Sequence, residues 1–315
     1  MIYYFLYSAR FRSFTFFSAS NPAIDLGGML DENKTDIYAL LPSEYVPVTI
    51  KITPNSWKPE MLDEAGLKFP LIVKPNIGFK GYKVKMVNDI KALHTFLSYQ
   101  DESREWLIQE FIDLKREYSL LYWKYPDGND CGISSLIEKI YPYVIGDGVH
   151  DLKTLLRRYA NPFLDKEDLT KRFEHRWNEV PEDGGKIILD VIGNYSRGSK
   201  FLSLMECIDQ PLIDATKIFF EDVEGMDFFR LDFKADSLED YIDGRFKILE
   251  INGAKSEPLH IYDPKFSFSE RFNILKMHWK IMSDIVQYRK KNSNYRFPTT
   301  SYGLKSLFSI KKLVK

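Results

Sequence analysis

Cysteine is nearly absent from this 315-residue chain: only Cys131 and Cys207 occur, far apart and without a partner motif. That excludes a disulfide framework and a cysteine-built zinc site. An excess of one charge is also missing. With 44 Lys and Arg against 45 Asp and Glu the net charge is −1, so nothing global argues for nucleic acid. The aromatic, basic N-terminus, with Arg10 and Arg12, is too short for a transmembrane helix and does not read as a signal peptide. No repeat and no low-complexity tract appears. The five histidines are scattered, and His94, His175 and His278 read as structural or solvated. What is plentiful is aromatic residues, 15% of the chain, which favours a packed globule of one to two domains.

Against that background one pattern stands out. Phe229-Arg230-Leu231-Asp232-Phe233 and Ile248-Leu249-Glu250-Ile251-Asn252 are apolar strands with polar residues at alternate positions. Alternate residues share a face, so Arg230 with Asp232, and Glu250 with Asn252, each line one side. If the strands pair, one Arg and three oxygen ligands converge. Mg²⁺ takes few carboxylates and shares phosphate oxygens, so the set fits a metal–nucleotide site. The bland alternative is a half-buried hairpin with its polar face in water.

Two upstream segments shift the balance. Phe69-Pro70-Leu71-Ile72-Val73-Lys74-Pro75 is a strand ending in a lysine, and Asn76, Gly78, Lys80 and Gly81 form the loop to a second strand. Such a hairpin covers phosphates with N–H groups and ammonium charge. It is not a P-loop, because no Gly-Lys-Ser/Thr follows. Then Trp106-Leu107-Ile108-Gln109-Glu110-Phe111-Ile112 runs through a short linker into a strand beginning near Glu117.

This ordered set, over roughly residues 47 to 265, resembles the ATP-grasp superfamily, in particular its carboxylate–amine ligases of the D-alanine–D-alanine ligase and cyanophycin synthetase kind. The resemblance implies an α+β ATP-grasp fold, two α+β lobes with ATP between them. Lys74 would contact ATP phosphates, and the loop holding Asn76, Gly78, Lys80 and Gly81 would close over them. Glu110, Phe111 and Ile112 would read adenine, and Glu117 the ribose. Asp232, Glu250 and Asn252 would hold Mg²⁺, and Arg230 would stabilise charge at the reacting carbonyl. On the cyanophycin-synthetase side, Gly146-Asp147-Gly148 leads into a helix capped near Asp151. Asn194, Arg197 and Ser199 on a Gly-flanked loop would bind a substrate carboxylate or the γ-phosphate, and Lys139 is a candidate second phosphate lysine.

The departures matter as much. The region before residue 47 is too short for the usual Rossmann-like domain, since one βαβ unit alone takes about 30 residues. It is expected to lie against the ATP lobes as a strand or two, with Lys34 as the candidate for the first ATP lysine. The expected division is 1–46 as a shortened N-terminal region, 47–112 and 113–288 as the two lobes, and 289–315 as a basic tail. That tail has eight Lys and Arg and no acidic residue, beside Leu304, Leu307 and Phe308. Strands are expected at 46–52, 70–74, 82–87, 106–112, 117–123, 135–142, 187–192, 228–234 and 246–252. Helices are expected at 88–99 with an Asn88 cap, 151–159, 166–175, 209–223 and 268–288. The last has a Ser267–Glu270 capping box and an apolar face of Phe268, Phe272, Leu275, Trp279, Met282 and Val286.

The expected activity is formation of an amide or peptide bond through an acyl phosphate, with ATP and Mg²⁺ as cofactors and ADP and phosphate released. The alternatives are an ATP-grasp kinase acting on a small-molecule hydroxyl and a nucleotide-binding module without turnover. Expected partners are small or peptide-like carboxylates and amines, with an anionic membrane surface at the basic termini and a second copy as further candidates. The expected location is the cytoplasm, including the inner membrane surface.

Overall fold

A computed structural model describes every residue except 1, 31, 79–82, 160, 162–163, 165–168, 170 and 315; side chains beyond 309 are outside it as well. Contacts divide the chain into two units, Met1–Ile137 with Ser203–Lys315, and Glu138–Leu202.

In the larger unit, β1 (Thr49–Ile52), β2 (Leu71–Pro75), β3 (Lys85–Val87) and β4 (Trp106–Glu110) form an antiparallel sheet of order β1-β4-β2-β3. One face carries Ile52, Leu71, Val73, Trp106 and Ile108. It packs on Leu93 and Leu97 of the helix Ile90–Ser98. Those two leucines are four apart, hence one helix face. The helix is capped by Asp89, not Asn88: the Asp89 carboxylate accepts the Ala92 N–H at 2.7 Å, whereas Asn88 lies one residue too early to reach it. The opposite face of the sheet carries Thr49, Lys74 and Gln109.

The next elements are β5 (Arg116–Lys124), β6 (Cys131–Ile140), β7 (Tyr143–Ile145), β8 (Lys186–Ile188), β9 (Lys200–Ser203), β10 (Phe228–Ala235) and β11 (Phe246–Asn252). A second sheet has the order β11-β10-β5-β6-β9. Its apolar face buries Tyr118, Leu120, Tyr122, Phe229, Leu231, Phe233 and Ile248 in one core with Tyr241 and Phe246. Fully burying a large apolar side chain is worth about 1.5–3 kcal/mol, so this face anchors the sheet and leaves its other face for polar work.

The N-terminal region is not the strand or two expected of it. Residues Ile2–Phe11 form a helix, because Tyr4, Tyr7, Ser8 and Phe11 recur at helical spacing and turn inward. Short helical turns follow at Phe16–Ser20 and Asp25–Gly28. Buried Asn21 uses its whole amide: Oδ1 accepts the N–H groups of Asp227 (3.0 Å) and Phe228 (2.9 Å), and Nδ2 donates to the carbonyls of Gly27 (3.0 Å) and Phe228 (2.7 Å). The N-terminal segment is thereby tied to the start of β10. Gly27 and Gly28 have φ of +62° and +73°, and a Cβ on Gly253 would lie 2.8 Å from Gly28 Cα. Three glycines let two backbones meet beside the end of β11.

The helix Phe268–Asn292 has the expected capping box, but its buried stripe is His278, Met282, Ser283, Ile285 and Val286. Phe268 is 86% exposed and Phe272 44%. Only the later turns reach the core, so the first turns of the expected apolar face stay uncovered. A further helix, Thr300–Val314, occupies the basic tail.

In the smaller unit, β7 and β8 pair antiparallel, and the helix Leu152–Arg158 is capped by Asp151, which accepts the Thr154 N–H at 2.8 Å. The short strands β7 and β9 were not expected from sequence. Of the helix expected at 166–175, residues 166–168 and 170 lie outside the described residues, and its end is a short helical turn at Glu174–Arg176.

Candidate functional site

The polar face of β10 and β11 is the centre of the site. In the ladder Arg230 stands opposite Asn252 and Asp232 opposite Glu250, so all four side chains leave the same face, as their alternation predicts. Arg230 Nε donates to Asp232 Oδ1 at 3.0 Å, and Ser119 Oγ on β5 donates to the same oxygen at 2.6 Å. Ser119 escaped the sequence reading. It lies directly opposite Asp232 in the β5–β10 register.

The ladder slips just after Asp232. Phe233 pairs with Ile248, so Leu249 is an extra residue. Such a bulge frees a backbone carbonyl from the ladder. The Leu249 carbonyl accepts Tyr38 Oη at 2.7 Å and Lys74 Nζ at 3.2 Å. Lys74 Nζ also donates to Tyr38 Oη at 2.9 Å and Gln109 Oε1 at 2.8 Å, and the side chain is buried. Its three protons thus have three acceptors. Tyr38 and Gln109 were not anticipated.

Lys34 enters from the helix Lys34–Tyr38, capped by Asn33. Positions 34 and 38 are four apart, so both side chains leave one helix face. Lys34 Nζ lies 3.6 Å from Glu250 Oε1 and donates to the Gly78 carbonyl at 3.1 Å. Burial alone would raise the Glu250 carboxyl, and Asp232 pushes the same way. The charges of Lys34, Lys255 and Lys74 outweigh both and hold it below the ordinary glutamate range.

Glu32 completes the cluster and was missed entirely. Its carboxylate accepts the Gly253 N–H at 3.0 Å and pairs with Lys255. Burial raises its pKa, and Lys255 offsets only part of that rise. The signal available in the sequence was an acid two residues before Lys34 and a lysine three after Asn252; neither spacing marks a contact.

The remaining expected residues fall as follows. The Asn76 amide is committed to Thr35 and Glu105, accepting the Thr35 N–H at 3.1 Å and donating to Glu105 Oε2 at 2.7 Å. Lys80, Gly81 and most of the loop over the phosphates lie outside the described residues. Glu110 accepts the Val48 N–H at 3.0 Å. Lys234, two residues beyond Asp232 on the same face, donates to the Ile112 carbonyl at 2.9 Å and lies 5.0 Å from the Phe111 ring centre. Burial lowers the Lys234 pKa, against the pull of Glu117 and Asp113. Glu117 is buried directly opposite Lys234.

Lys139, Asn194, Arg197 and Ser199 belong to the smaller unit. Lys139 is buried near the end of β6. Asn194 caps the turn Tyr195–Arg197, accepting the Ser196 N–H at 2.9 Å. Arg197 holds buried Asp190, with Nε 2.9 Å and Nη2 2.8 Å from one carboxylate oxygen. Ser199 is buried, its hydroxyl 3.5 Å from the Ile192 carbonyl.

The donor set suits a hard cation. Two carboxylates and an amide oxygen share one face, and the Asn252 amide nitrogen is buried without a hydrogen-bond partner among the described residues. The amide is thus uncommitted and can turn its oxygen to a metal. Among the described residues no three His, Cys, Asp or Glu side chains cluster as a metal site.

No protein-family model matches the chain, and no curated protein matches it. Solved structures similar to it include a bifunctional glutathione synthetase from Pasteurella multocida, at 15% identity and TM-score 0.41, covering 79% of this chain and 36% of that one. D-alanine–D-alanine ligase from Bacillus anthracis complexed with ATP is similar at 17% identity and TM-score 0.43, covering 85% and 69%. VanG D-Ala:D-Ser ligase from Enterococcus faecalis is similar at 15% identity and TM-score 0.43, covering 81% and 62%. The chain thus spans little more than a third of the first and under two thirds of the third. At these TM-scores the likenesses decide nothing about chemistry.

Proposed function

We propose that this chain is an ATP-grasp enzyme, an ATP-dependent carboxylate–amine ligase that forms an amide or peptide bond. The observation that carries the reading is the facing pair Asp232 and Glu250, with uncommitted Asn252 beside them and Lys34 reaching in. Two carboxylates placed opposite each other repel, and cations gathered around them suit a site built for a metal and phosphate.

In this reading Lys74 and Lys34 hold ATP phosphates. The longest of the Lys74 hydrogen bonds, to the Leu249 carbonyl, is the one a phosphate oxygen replaces at least cost. Backbone groups of Glu110, Phe111 and Ile112 meet the adenine, with Lys234 fixing the Ile112 carbonyl, and Glu117 accepts from the ribose hydroxyls. ATP lies between the lobes 47–112 and 113–288, and the loop from Asn76 onward, with Gly78, Lys80 and Gly81, covers it. Mg²⁺ on Asp232, Glu250 and Asn252 would supply neutralisation of phosphate charge. Asn194, Arg197 and Ser199 keep their role as candidates for the carboxylate substrate, and Lys139 as a candidate phosphate lysine.

The substrate carboxylate attacks the γ-phosphorus, the β–γ bridging bond breaks, and ADP leaves with an acyl phosphate formed. An amine then adds to the acyl carbon, phosphate departs and the amine loses a proton. In this reading Arg230, whose Nε and Nη2 hold Asp232, stabilises the oxyanion of that second step. Screening a library of carboxylates with amines for ADP release tests the proposal. Amide plus free phosphate supports a ligase; a phosphorylated product identifies a kinase; no release with any pair refutes turnover.

A further inference from the structure

The two chain ends form one surface. Thr15 Oγ1 donates to the Pro298 carbonyl at 2.5 Å, Tyr302 Oη donates to Asp25 at 2.9 Å, and Tyr4 Oη donates to the Phe14 carbonyl at 2.8 Å. A Cβ on Gly303 would sit 3.3 Å from the Thr15 methyl. The helices Ile2–Phe11 and Thr300–Val314 are therefore joined through the segment between Phe14 and Asp25.

Both helices leave apolar side chains uncovered. The first buries Tyr4, Tyr7 and Phe11 in whole or part, yet Ile2, Phe5 and Leu6, at positions i, i+3 and i+4, are more than half exposed. Phe14 is 52% exposed, and on the last helix Leu304 and Phe308, one turn apart, are 52% and 62% exposed. An outward apolar face on a helix that already has an inward one is unusual for a surface that meets only water.

Charge follows the same division. Residues 1–24 and 289–315 contain ten Lys and Arg and no Asp or Glu; with the chain at −1 overall, residues 25–288 carry an excess of eleven acids. Arg289 is paired with Asp227 and Asp25 lies on this surface, yet exposed Arg10, Arg12, Lys290, Lys291 and Lys305 leave the exposed Phe, Leu and Ile with a net positive surround, which matches the interface of an anionic bilayer. There the apolar side chains enter the boundary between headgroups and acyl chains, and each basic side chain strengthens binding by about fivefold. Among the described residues no helix is long and apolar enough to cross the bilayer, so contact is from one side.

We propose that this joint surface docks the enzyme on an anionic membrane, which would present a lipid-linked or membrane-bound substrate to it. Flotation of the full chain with phosphatidylcholine vesicles, with and without phosphatidylglycerol, tests this. The chain is expected to float with the anionic vesicles only, and to be released by high salt. The double variant Leu304→Glu with Phe308→Glu is expected to bind at least about tenfold more weakly, since each lost insertion is worth about tenfold or more. Phe5→Glu is expected to act in the same direction, with the melting temperature of each variant unchanged because these side chains are exposed. Absence of flotation at low salt, or equal flotation of wild type and the double variant, overturns the proposal. So does a concentration-dependent dimer that the double variant abolishes while vesicles bind neither protein; that outcome assigns the surface to a second copy.

Discussion

Asp232 and Glu250 face each other directly across the β10–β11 ladder, two carboxylates on one polar sheet face. Like charges placed opposite destabilise a sheet, and here Arg230 on Asp232 and the lysines around Glu250 offset that repulsion. Glu250→Gln removes one charge without changing shape. Because the surrounding lysines favour the ionised carboxylate, the expected outcome is a folded protein with an unchanged or slightly lower melting temperature, with ADP release on the true substrate down by about a hundredfold or more. Normal Mg²⁺-dependent activity in this variant would remove Glu250 from the metal site.

Lys34 lies 3.6 Å from Glu250 and is the largest of the influences lowering its pKa. Lys34→Met should therefore raise that pKa, because burial and Asp232 are then less opposed. The acid limb of the activity profile is expected to move to higher pH, and added Mg²⁺ to move it back. An unshifted acid limb would separate Lys34 from Glu250.

Two buried histidines make an independent prediction about stability. Burial holds His260 at about 4 and His278 at about 3. Both are lowered from 6.5, so the unfolded chain binds the extra protons first. Stability is then greatest above about pH 6.5 and falls as pH drops through the window down to those values. By pH 5 each costs about 2 kcal/mol. Chemical unfolding between pH 7 and 5 should show this slope, and His278→Gln should flatten it. Equal slopes in wild type and variant would contradict the burial argument.

Asn21 ties the N-terminal segment to β10 through four hydrogen bonds inside the core. Asn21→Ala takes the Asn21 partner from the Phe228 N–H and carbonyl, while the Asp227 N–H keeps the Ser20 carbonyl and the Gly27 carbonyl keeps the Ala254 N–H. A loss of about 2 kcal/mol or more in unfolding free energy is expected. A loss below about 1 kcal/mol would mean the segment is not held there.

The two sheets and their polar faces were legible because strand alternation is short-range and strong. Spacing alone placed Arg230 with Asp232 and Glu250 with Asn252, their common face following from the β10–β11 pairing, and Ser267 with Glu270 announced their helix start. Ser119, Tyr38 and Glu32 could not be placed. Ser119 depends on β5 pairing with β10 across 113 residues, and Tyr38 reaches a carbonyl exposed only by a bulge. Glu32 depends on a glycine-lined approach of two backbones. The N-terminal helix was readable from Tyr4, Tyr7 and Phe11, but the aromatic run Phe14-Thr15-Phe16-Phe17 after it suggested strand. Its outward Ile2, Phe5 and Leu6 also hid the inward stripe.

The most direct test of the account is calorimetry of ATP binding with Mg²⁺ and with a chelator, in wild type and in Lys74→Ala. A charge-assisted contact to phosphate is worth about 1.5–3 kcal/mol. The account predicts Mg²⁺-dependent binding in wild type that Lys74→Ala weakens by about ten- to a hundredfold. No heat of binding in wild type, or the same affinity with the chelator and in Lys74→Ala, would contradict it.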